Sequence, residues 1–377
     1  MKKNNKIIIT CIVLLIVAVG ILFFWGNKDS IKIGVIADLS SRKSQLGIAG
    51  RNGVISAVEE INSTGGIDGR SIELVIVDNH DNKQLVEIKV NELLAKDVNV
   101  IIGPYTSRMG VAVANAVKGK NLLIISPTVS TNKLSSIDDN FIRVMPHAQY
   151  QGELLANSVA KQQIKSISII RDSKNSEYTE TVAKGFILHA QKLKIGVLHD
   201  IEFKVQDEFQ SIINSISNNP TDAILFITSG IDAGSLAQLY SQKNTNSNMP
   251  QLFGSMWTKV TKVNRYGGAA VEGMVLLDAY ANAVPGQREK DFNSKYSKRF
   301  GTTPNMITRF SYEAVQIFAE AYKRTKSSDA KILKKAILEI DPVIGITDKY
   351  SFDKYGDVNR NMSLFIVKNH EYELFSN

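Results

Sequence analysis

Short apolar runs alternate with helix-like stretches along most of the chain after residue 30. Four runs rich in Ile, Val and Leu come first, at 31–39, 71–78, 98–103 and 122–127. Five more follow a polar stretch, at 166–172, 195–203, 222–230, 250–255 and 273–278. Repeated β-α-β alternation predicts an α/β fold with parallel sheets and helices on both faces. Two such units in 377 residues predict two lobes with a cleft between them.

The segment 1–30 precedes this alternation and carries the longest apolar run. Residues 7–25 contain no charge, and their 19 residues are about enough to cross the hydrocarbon core of a membrane as a helix. Lysines precede the run and Asp29 follows it, so we expect the N-terminus in the cytoplasm and residues 31–377 outside. The segment is predicted to be a single-pass anchor in the cell membrane, and a cleaved secretory signal is the alternative.

Several classes of chemistry lack their residues in this sequence. There is no phosphate-binding G-x-x-x-x-G-K-[S/T] motif and no G-x-S-x-G motif around a serine. Five histidines are scattered without metal-like spacing, and Cys11 is the only cysteine. The net charge of +8 is not gathered into a stripe of Lys and Arg, which argues against a nucleic-acid partner. The sequence therefore predicts a protein that is not an enzyme and that uses no cofactor and no metal.

The ends of the predicted strands are rich in Ser, Thr and Gly. In VNVIIGPYTSRMG (98–110), the apolar run stops at Gly103-Pro104 and is followed directly by Thr106 and Ser107. Open α/β sheets bind ligands beyond the carboxyl ends of their strands, at the N-termini of the following helices. Hydroxyls and glycines at these positions favour recognition of a small ligand by hydrogen bonds over catalysis.

Five motifs in order resemble the type I periplasmic binding proteins, and specifically the branched-chain amino-acid (leucine/isoleucine/valine) receptors of ABC importers. They are INSTGGIDGRSIELVIVD (61–78), NVIIGPYTS (99–107), LLIISPTVSTNKL (122–134), RFSYEAVQIFAEAYKR (309–324) and GITDKYSFDKYGD (345–357). The resemblance implies two Rossmann-like lobes, joined by a hinge, that close on a ligand. It places 31–147 with 276–345 in the N-terminal lobe and 148–275 with 346–377 in the C-terminal lobe.

The same resemblance assigns candidate ligand contacts. Ser107 and Ser130 match positions that hold the α-carboxylate and ammonium of the ligand, and Val129 would offer its backbone carbonyl to the ammonium. Tyr178 matches a tyrosine of the C-terminal lobe that closes over the ligand. Helix capping by the two serines and loop packing by the tyrosine are the alternatives that remain open.

Three further cleft positions are predicted where the sequence departs from the family. Leu46 and Gly230 stand where aromatic residues are common, and Met256 stands where many members have an acid that pairs with the ammonium. Loss of that acid removes the main charge partner of an ammonium, so an amine-free carboxylate or an amide is nearly as suitable as an amino acid. Arg42 and Lys43 on the first cleft loop could favour an acidic ligand, or could simply be solvated.

The resemblance implies a membrane-anchored, extracytoplasmic solute-binding protein. It would be a monomer in its soluble part and would deliver a small ligand, an amino acid or a related carboxylate, to an ABC permease. A sensing module of the same fold that signals to a membrane partner is the first alternative. An extracytoplasmic hydrolase is the second, and it requires a histidine or an acid beside Ser107 or Ser130.

Overall fold

The first five strands form one parallel sheet. The structure, a computed structural model, describes residues 29–41, 44–245, 249–279 and 285–376. The strands of this sheet are β1 (Ile31–Ala37), β2 (Ile72–Asp78), β3 (Val100–Ile102), β4 (Leu123–Ser126) and β5 (Phe141–Arg143). They lie in the order β2-β1-β3-β4-β5, and every pair is parallel. The helices between them are α1 (Gln45–Ser63), α2 (Lys83–Leu94) and α3 (Ser107–Val117).

Burial on both faces explains the continuous apolar runs of this sheet. All residues of β3 and β4 are buried, and β1 has a single half-buried residue, Lys32. Helices cover both faces of a parallel sheet, so its central strands need apolar side chains on each side. The four strands predicted in this region are confirmed. The three-residue β5 was not predicted, because a run this short between polar loops shows no periodicity.

A second α/β unit follows along the chain. Its helices are α4 (Ala148–Lys161), α5 (Ser176–Lys192), α6 (Phe209–Asn218), α7 (Gly230–Lys243), α8 (Met256–Val260) and α9 (Val263–Gly267). Its strands are β6 (Ser166–Asp172), β7 (Gly196–Phe203), β8 (Ala223–Ile227), β9 (Gln251–Gly254) and β10 (Val275–Asp278). All five strands pair in parallel, as the alternation predicts.

The remaining chain returns to both sheets. The helices α10 (Gln287–Phe300), α11 (Met306–Thr325) and α12 (Ala330–Leu338) come next, and α11 packs against α1. Three short strands then form a small antiparallel sheet, namely β11 (Val343–Ile344), β12 (Lys349–Phe352) and β13 (Val358–Asn359). The last two strands are β14 (Ser363–Lys368) and β15 (Glu371–Phe375).

The second sheet has seven strands and is mixed. Its order is β15-β14-β10-β9-β8-β6-β7, with β14 antiparallel to β10 and β15 antiparallel to β14. Asn369 and His370 join the last two strands in a tight turn, and both have positive φ, of 52° and 62°. Positive φ at both central residues is typical of the type I′ turn that suits a two-residue hairpin. This antiparallel edge was not predicted, since the alternation indicates parallel strands only.

The limits of the two lobes stay a prediction, and the strand pairing shows where the chain leaves each sheet. β10 pairs wholly within the second sheet, although the predicted limit between 275 and 276 divides it. β12 and β13 lie in the small sheet and not in the seven-stranded one, and Asp357 beside them pairs with Arg143 of β5. The return into the second sheet therefore comes at β14.

The predicted membrane anchor, 1–30, lies almost entirely outside the described residues, which begin at residue 29. Across the described ranges, no helix is long and apolar enough to span a membrane.

Candidate ligand-binding site

The loop between β3 and α3 positions Ser107. Gly103 has φ of +113°, and a Cβ at this position would lie 2.4 Å from the carbonyl oxygen of Ile36, so only glycine fits here. Thr106 caps α3 by accepting a hydrogen bond from the backbone N–H of Met109. Ser107 is therefore the first residue of α3, and capping is performed by its neighbour rather than by Ser107 itself.

The loop after β4 lies directly on this first loop. Ser126 Oγ donates to the Pro104 carbonyl at 2.8 Å, and Thr128 Oγ1 donates to the Tyr105 carbonyl at 2.8 Å. The backbone N–H of Ser130 donates to Ser107 Oγ at 3.2 Å. These bonds bring together two serines that are 23 residues apart in the sequence.

The hydroxyl groups of Ser107 and Ser130 have unused hydrogen-bonding capacity. The two residues are only 2% and 1% exposed. Ser130 Oγ is buried with no partner in the described part of the chain, and Ser107 Oγ only accepts the bond from Ser130. A buried hydroxyl without a partner costs free energy, so such a group in a native protein indicates that a ligand or water completes it.

Residues of the second unit face the two serines. The Tyr178 hydroxyl donates to Gln151 Oε1 at 3.0 Å, and Gln151 Nε2 donates to the Pro146 carbonyl. The Tyr178 ring contacts Trp257 edge to face, with 6.3 Å between the centroids. Burial raises the pKa of Tyr178 to about 12, so its hydroxyl stays protonated at neutral pH.

A cavity lies between the two sets of residues and holds about 400 Å³, including its opening to solvent. Its polar lining residues are Thr106, Ser107, Thr128, Ser130, Gln151 and Asn175. Its apolar and aromatic lining residues are Leu46, Tyr105, Met145, Tyr178, Met256, Trp257, Val260, Met306 and Ile307. Within the part of the chain that the structure describes, no charged side chain lines it.

Five of the seven predicted site residues meet in this cavity, namely Leu46, Ser107, Ser130, Tyr178 and Met256. Their contacts with a ligand stay a prediction. The other two residues, Val129 and Gly230, do not line it. The Val129 side chain packs against Gly110 of α3, and Gly230 packs against α8 while its N–H donates to Thr261 Oγ1. Only glycine fits at position 230 in this packing, because a Cβ would lie 2.7 Å from the Thr258 carbonyl oxygen. Arg42 and Lys43 lie outside the described residues.

Several lining residues were missed by the sequence interpretation. Gln151 and Asn175 belong to helical or turn segments of the second unit that carry no motif. Met306 and Ile307 begin α11, just before the quoted family motif at 309–324. The side-chain cap of Asn305 on the N–H of Thr308 was the one local signal that a helix starts there.

Carboxylates near the cavity are already engaged. Asp38 accepts from the backbone N–H and the hydroxyl of Ser41. Asp81 pairs with Arg108 at 2.8 Å. Asp232, at the start of α7, accepts from Gln206 Nε2 at 2.8 Å and from Ser229 Oγ at 2.8 Å. These three line adjoining hollows rather than the cavity that contains the serines.

Two polar contacts cross the cleft beside the cavity. Lys83 at the start of α2 pairs with Glu177 of α5, with 2.9 Å between Nζ and Oε1. The backbone N–H of Arg108, in the first turn of α3, donates to Asn175 Oδ1 at 3.1 Å. The first and second units are thus joined directly, next to residues that line the cavity.

Ser107 and Ser130 lack the neighbours that a hydrolase requires. Among the described residues, no histidine, aspartate or glutamate forms a hydrogen bond with either hydroxyl. A serine nucleophile needs a base within hydrogen-bonding reach. The geometry therefore favours binding over hydrolysis.

Comparison with known proteins decides the family. A family model described as periplasmic binding protein matches residues 30–371. The chain belongs to this family. Its members are solute-binding proteins and not enzymes, and they function outside the cytoplasm. The resemblance to type I periplasmic binding proteins of the branched-chain amino-acid family is confirmed.

Individual relatives match nearly the whole chain. Leu/Ile/Val-binding protein homolog 3 of Brucella melitensis is 22% identical over 87% of this chain and 89% of its own length. The branched-chain amino acid transporter substrate-binding protein LivJ of Streptococcus pneumoniae, solved with isoleucine, has a TM-score of 0.83 and 22% identity over 93% of this chain and 100% of its own. An ABC transporter solute-binding protein of R. palustris, solved with benzoate, has a TM-score of 0.82 and 18% identity over 92% and 96%. The two structures confirm the fold of this periplasmic binding protein.

Proposed function

We propose that this chain is the extracytoplasmic solute-binding protein of an ABC importer and that it captures a small carboxylate-bearing ligand. The observation that carries the proposal is the pair of buried hydroxyls, Ser107 and Ser130, that lack acceptors at the N-terminus of α3. Hydroxyl and N–H donors at a helix N-terminus favour an anionic group such as a carboxylate.

The relatives support a ligand of this kind. The S. pneumoniae protein was solved with isoleucine and the R. palustris protein with benzoate, and both ligands join one carboxylate to an apolar body. The cavity lining has matching parts, since it combines the two serines with the apolar side chains of Leu46, Met256 and Trp257. A ligand held this way contacts both units at once.

Closure around the ligand would follow from these contacts. Ser107 and Ser130 belong to the first unit, whereas Tyr178 and Trp257 belong to the second. A ligand that binds both units stabilises the closed arrangement over an open one, since only the closed form offers all its contacts. The closed form is then the one that the permease receives, and segment 1–30 would hold the protein at the membrane.

A binding experiment tests the proposal. A thermal-shift screen of amino acids, amides and short carboxylic acids should identify binders, and calorimetry of the strongest binder should give its Kd. The double variant Ser107→Ala, Ser130→Ala should weaken that Kd by about 100-fold or more, because hydrogen bonds to a charged group contribute about 1.5–3 kcal/mol each.

A control separates loss of binding from loss of fold. Ser63→Ala removes an exposed hydroxyl that donates to the Glu60 carbonyl at the end of α1, so its Kd should equal that of the wild type. Both variants should unfold cooperatively in denaturant. An unchanged Kd in the double variant would refute the assignment of the site.

A further inference from the structure

Around Ser107 and Ser130, some hydroxyl groups donate a hydrogen bond within the protein and others do not. Two neighbouring hydroxyls are committed, since Ser126 and Thr128 donate to backbone carbonyls. The hydroxyl hydrogens of Thr106, Ser107 and Ser130 have no acceptor within the described residues, and the Tyr105 hydroxyl in the same lining is also buried there without a hydrogen-bond partner. The site therefore has spare donors, and a ligand must bring the acceptors.

Acceptors for a positively charged group are not similarly available. The two side-chain amides in the lining are in use, because Gln151 Oε1 accepts from Tyr178 and Asn175 Oδ1 accepts from Arg108. The Val129 carbonyl, which the family resemblance assigns to an ammonium, is neutral and does not replace a carboxylate. An ammonium moved from water into this cavity would lose its hydration without gaining an anionic partner.

No side chain of the described lining supplies an anionic partner for an ammonium. Met256, which is 3% exposed, occupies the lining at the start of α8 with a thioether that has no charge. The nearby carboxylates of Asp81 and Asp232 are held by Arg108, Gln206 and Ser229 outside the cavity. The wall is apolar instead, and it includes three methionines whose flexible side chains adapt to the shape of an apolar group.

We propose that the ligand is a small monocarboxylate with an apolar body and without an ammonium group. This proposal rests on the proposed binding function and names its substrate class. The carboxylate accepts from the hydroxyls of Ser107 and Ser130 at the N-terminus of α3. The apolar body lies against Met256, Trp257 and Met306.

Matched ligand pairs test the proposal on the full-length protein. The pairs are 4-methylpentanoate with L-leucine and 3-phenylpropanoate with L-phenylalanine. Within each pair the two compounds have the same carbon skeleton, and only the amino acid carries an amine. Calorimetry at neutral pH should show the amine-free member of at least one pair binding at least about tenfold more tightly, because a buried charge without a partner is strongly unfavourable. Equal or tighter binding of the amino acids would overturn the proposal and leave the binding function in place. If no member of either pair binds, a carboxylate seat at the two serines is refuted, and the ligand-class proposal with it.

A charge placed in the wall gives a second test. Met256→Glu supplies the missing anionic partner, so it should reverse the preference within the pair that binds. Met256→Gln has a similar size without the charge and should keep the wild-type preference. Reversal by both variants, or by neither when both fold, would contradict the role assigned to charge at this position.

Discussion

The ion pair between Lys83 and Glu177 offers a direct test of how the two units close. Lys83 belongs to the helix that follows β2, and Glu177 to the helix that follows β6, so the pair joins elements of the two sheets. The Glu177 side chain is 8% exposed and that of Lys83 is 42% exposed. Glu177→Gln removes the charge and keeps the shape of the side chain.

The expected size of the effect follows from this partial burial. Exposed ion pairs contribute about 0.2–1 kcal/mol, and the buried position of Glu177 places this pair near the upper end. If the pair forms only on closure, its loss should weaken ligand binding by about fivefold, the equivalent of about 1 kcal/mol. Most of that change should be in the dissociation rate, as is usual for contacts made after the first encounter.

The effect also depends on pH in a definite direction. Burial opposes ionisation of Glu177, but the hydrogen bond from Lys83 and the nearby charges outweigh it, so its pKa lies below the ordinary value of 4.5. A carboxyl whose pKa is lowered by closure stabilises the closed form fully above its ordinary pKa. That stabilisation is lost as the pH falls below 4.5 toward the lowered value.

Calorimetry of wild type and variant with the same ligand measures both features. The Kd ratio of Glu177→Gln to wild type should be about five near neutral pH and should approach one as the pH falls through the lowered pKa of Glu177. Taking the ratio removes the titration of the ligand itself. Glu180→Gln is the matched control, because Glu180 lies on the same helix and pairs with Lys184 one turn away on that helix. Equal Kd values for all three proteins at every pH would refute this account of closure.

Two further variants test parts of the fold that support the site. Arg360 is buried between the rings of Phe310 and Tyr350 and pairs with Glu313 and Asp348. Arg360→Ala would leave these two carboxylates buried without their partner, so it should lower the free energy of unfolding by about 3–5 kcal/mol in urea titrations. A loss under about 1 kcal/mol would contradict a stabilising role for this ion pair. Gly50→Ala would place a Cβ 1.9 Å from the Tyr105 ring in the cavity wall, so it should weaken ligand binding and lower the free energy of unfolding by about 1–3 kcal/mol. Gly286→Ala is the control, because a Cβ there meets open space, and it should change the free energy of unfolding by less than about 0.5 kcal/mol. Equal effects of the two glycine variants would show that Tyr105 is not held by contact with α1.

Much of the α/β architecture was predictable from short-range pattern. The apolar runs that became β1, β3 and β4 are buried on both faces, and that demand leaves a continuous signal in the sequence. The segments 103–107 and 126–131 were likewise recognisable as strand ends because glycine, proline and hydroxyl residues follow an apolar run. The hairpin of β14 and β15 was not, since its antiparallel pairing depends on which strand lies next to β10.

In the candidate site, too, some residues could be predicted from the sequence and others could not. Ser107 and Ser130 were identified from the sequence because each follows a strand and matches a family motif. Gln151, Asn175 and Met306 have no such mark, and only the packing of the second unit and α11 against the first brings them to the cavity. Gly230 illustrates the reverse case, since its position after β8 indicated a cleft residue, but close packing against Thr258 and Thr261 turns it away.

The sequence by itself determined the strand and helix periodicity, the family, and the two serines that follow β3 and β4. These features depend on neighbouring residues along the chain, whose side-chain pattern is set locally. The tertiary structure alone decided that the two serine hydroxyls keep unused donors and that no charged side chain of the described chain reaches them. Hydrogen-bond satisfaction and charge pairing depend on groups far apart in sequence, such as Asp81 with Arg108 in the first unit or Asp232 with Gln206 in the second, so they exist only once each unit has folded.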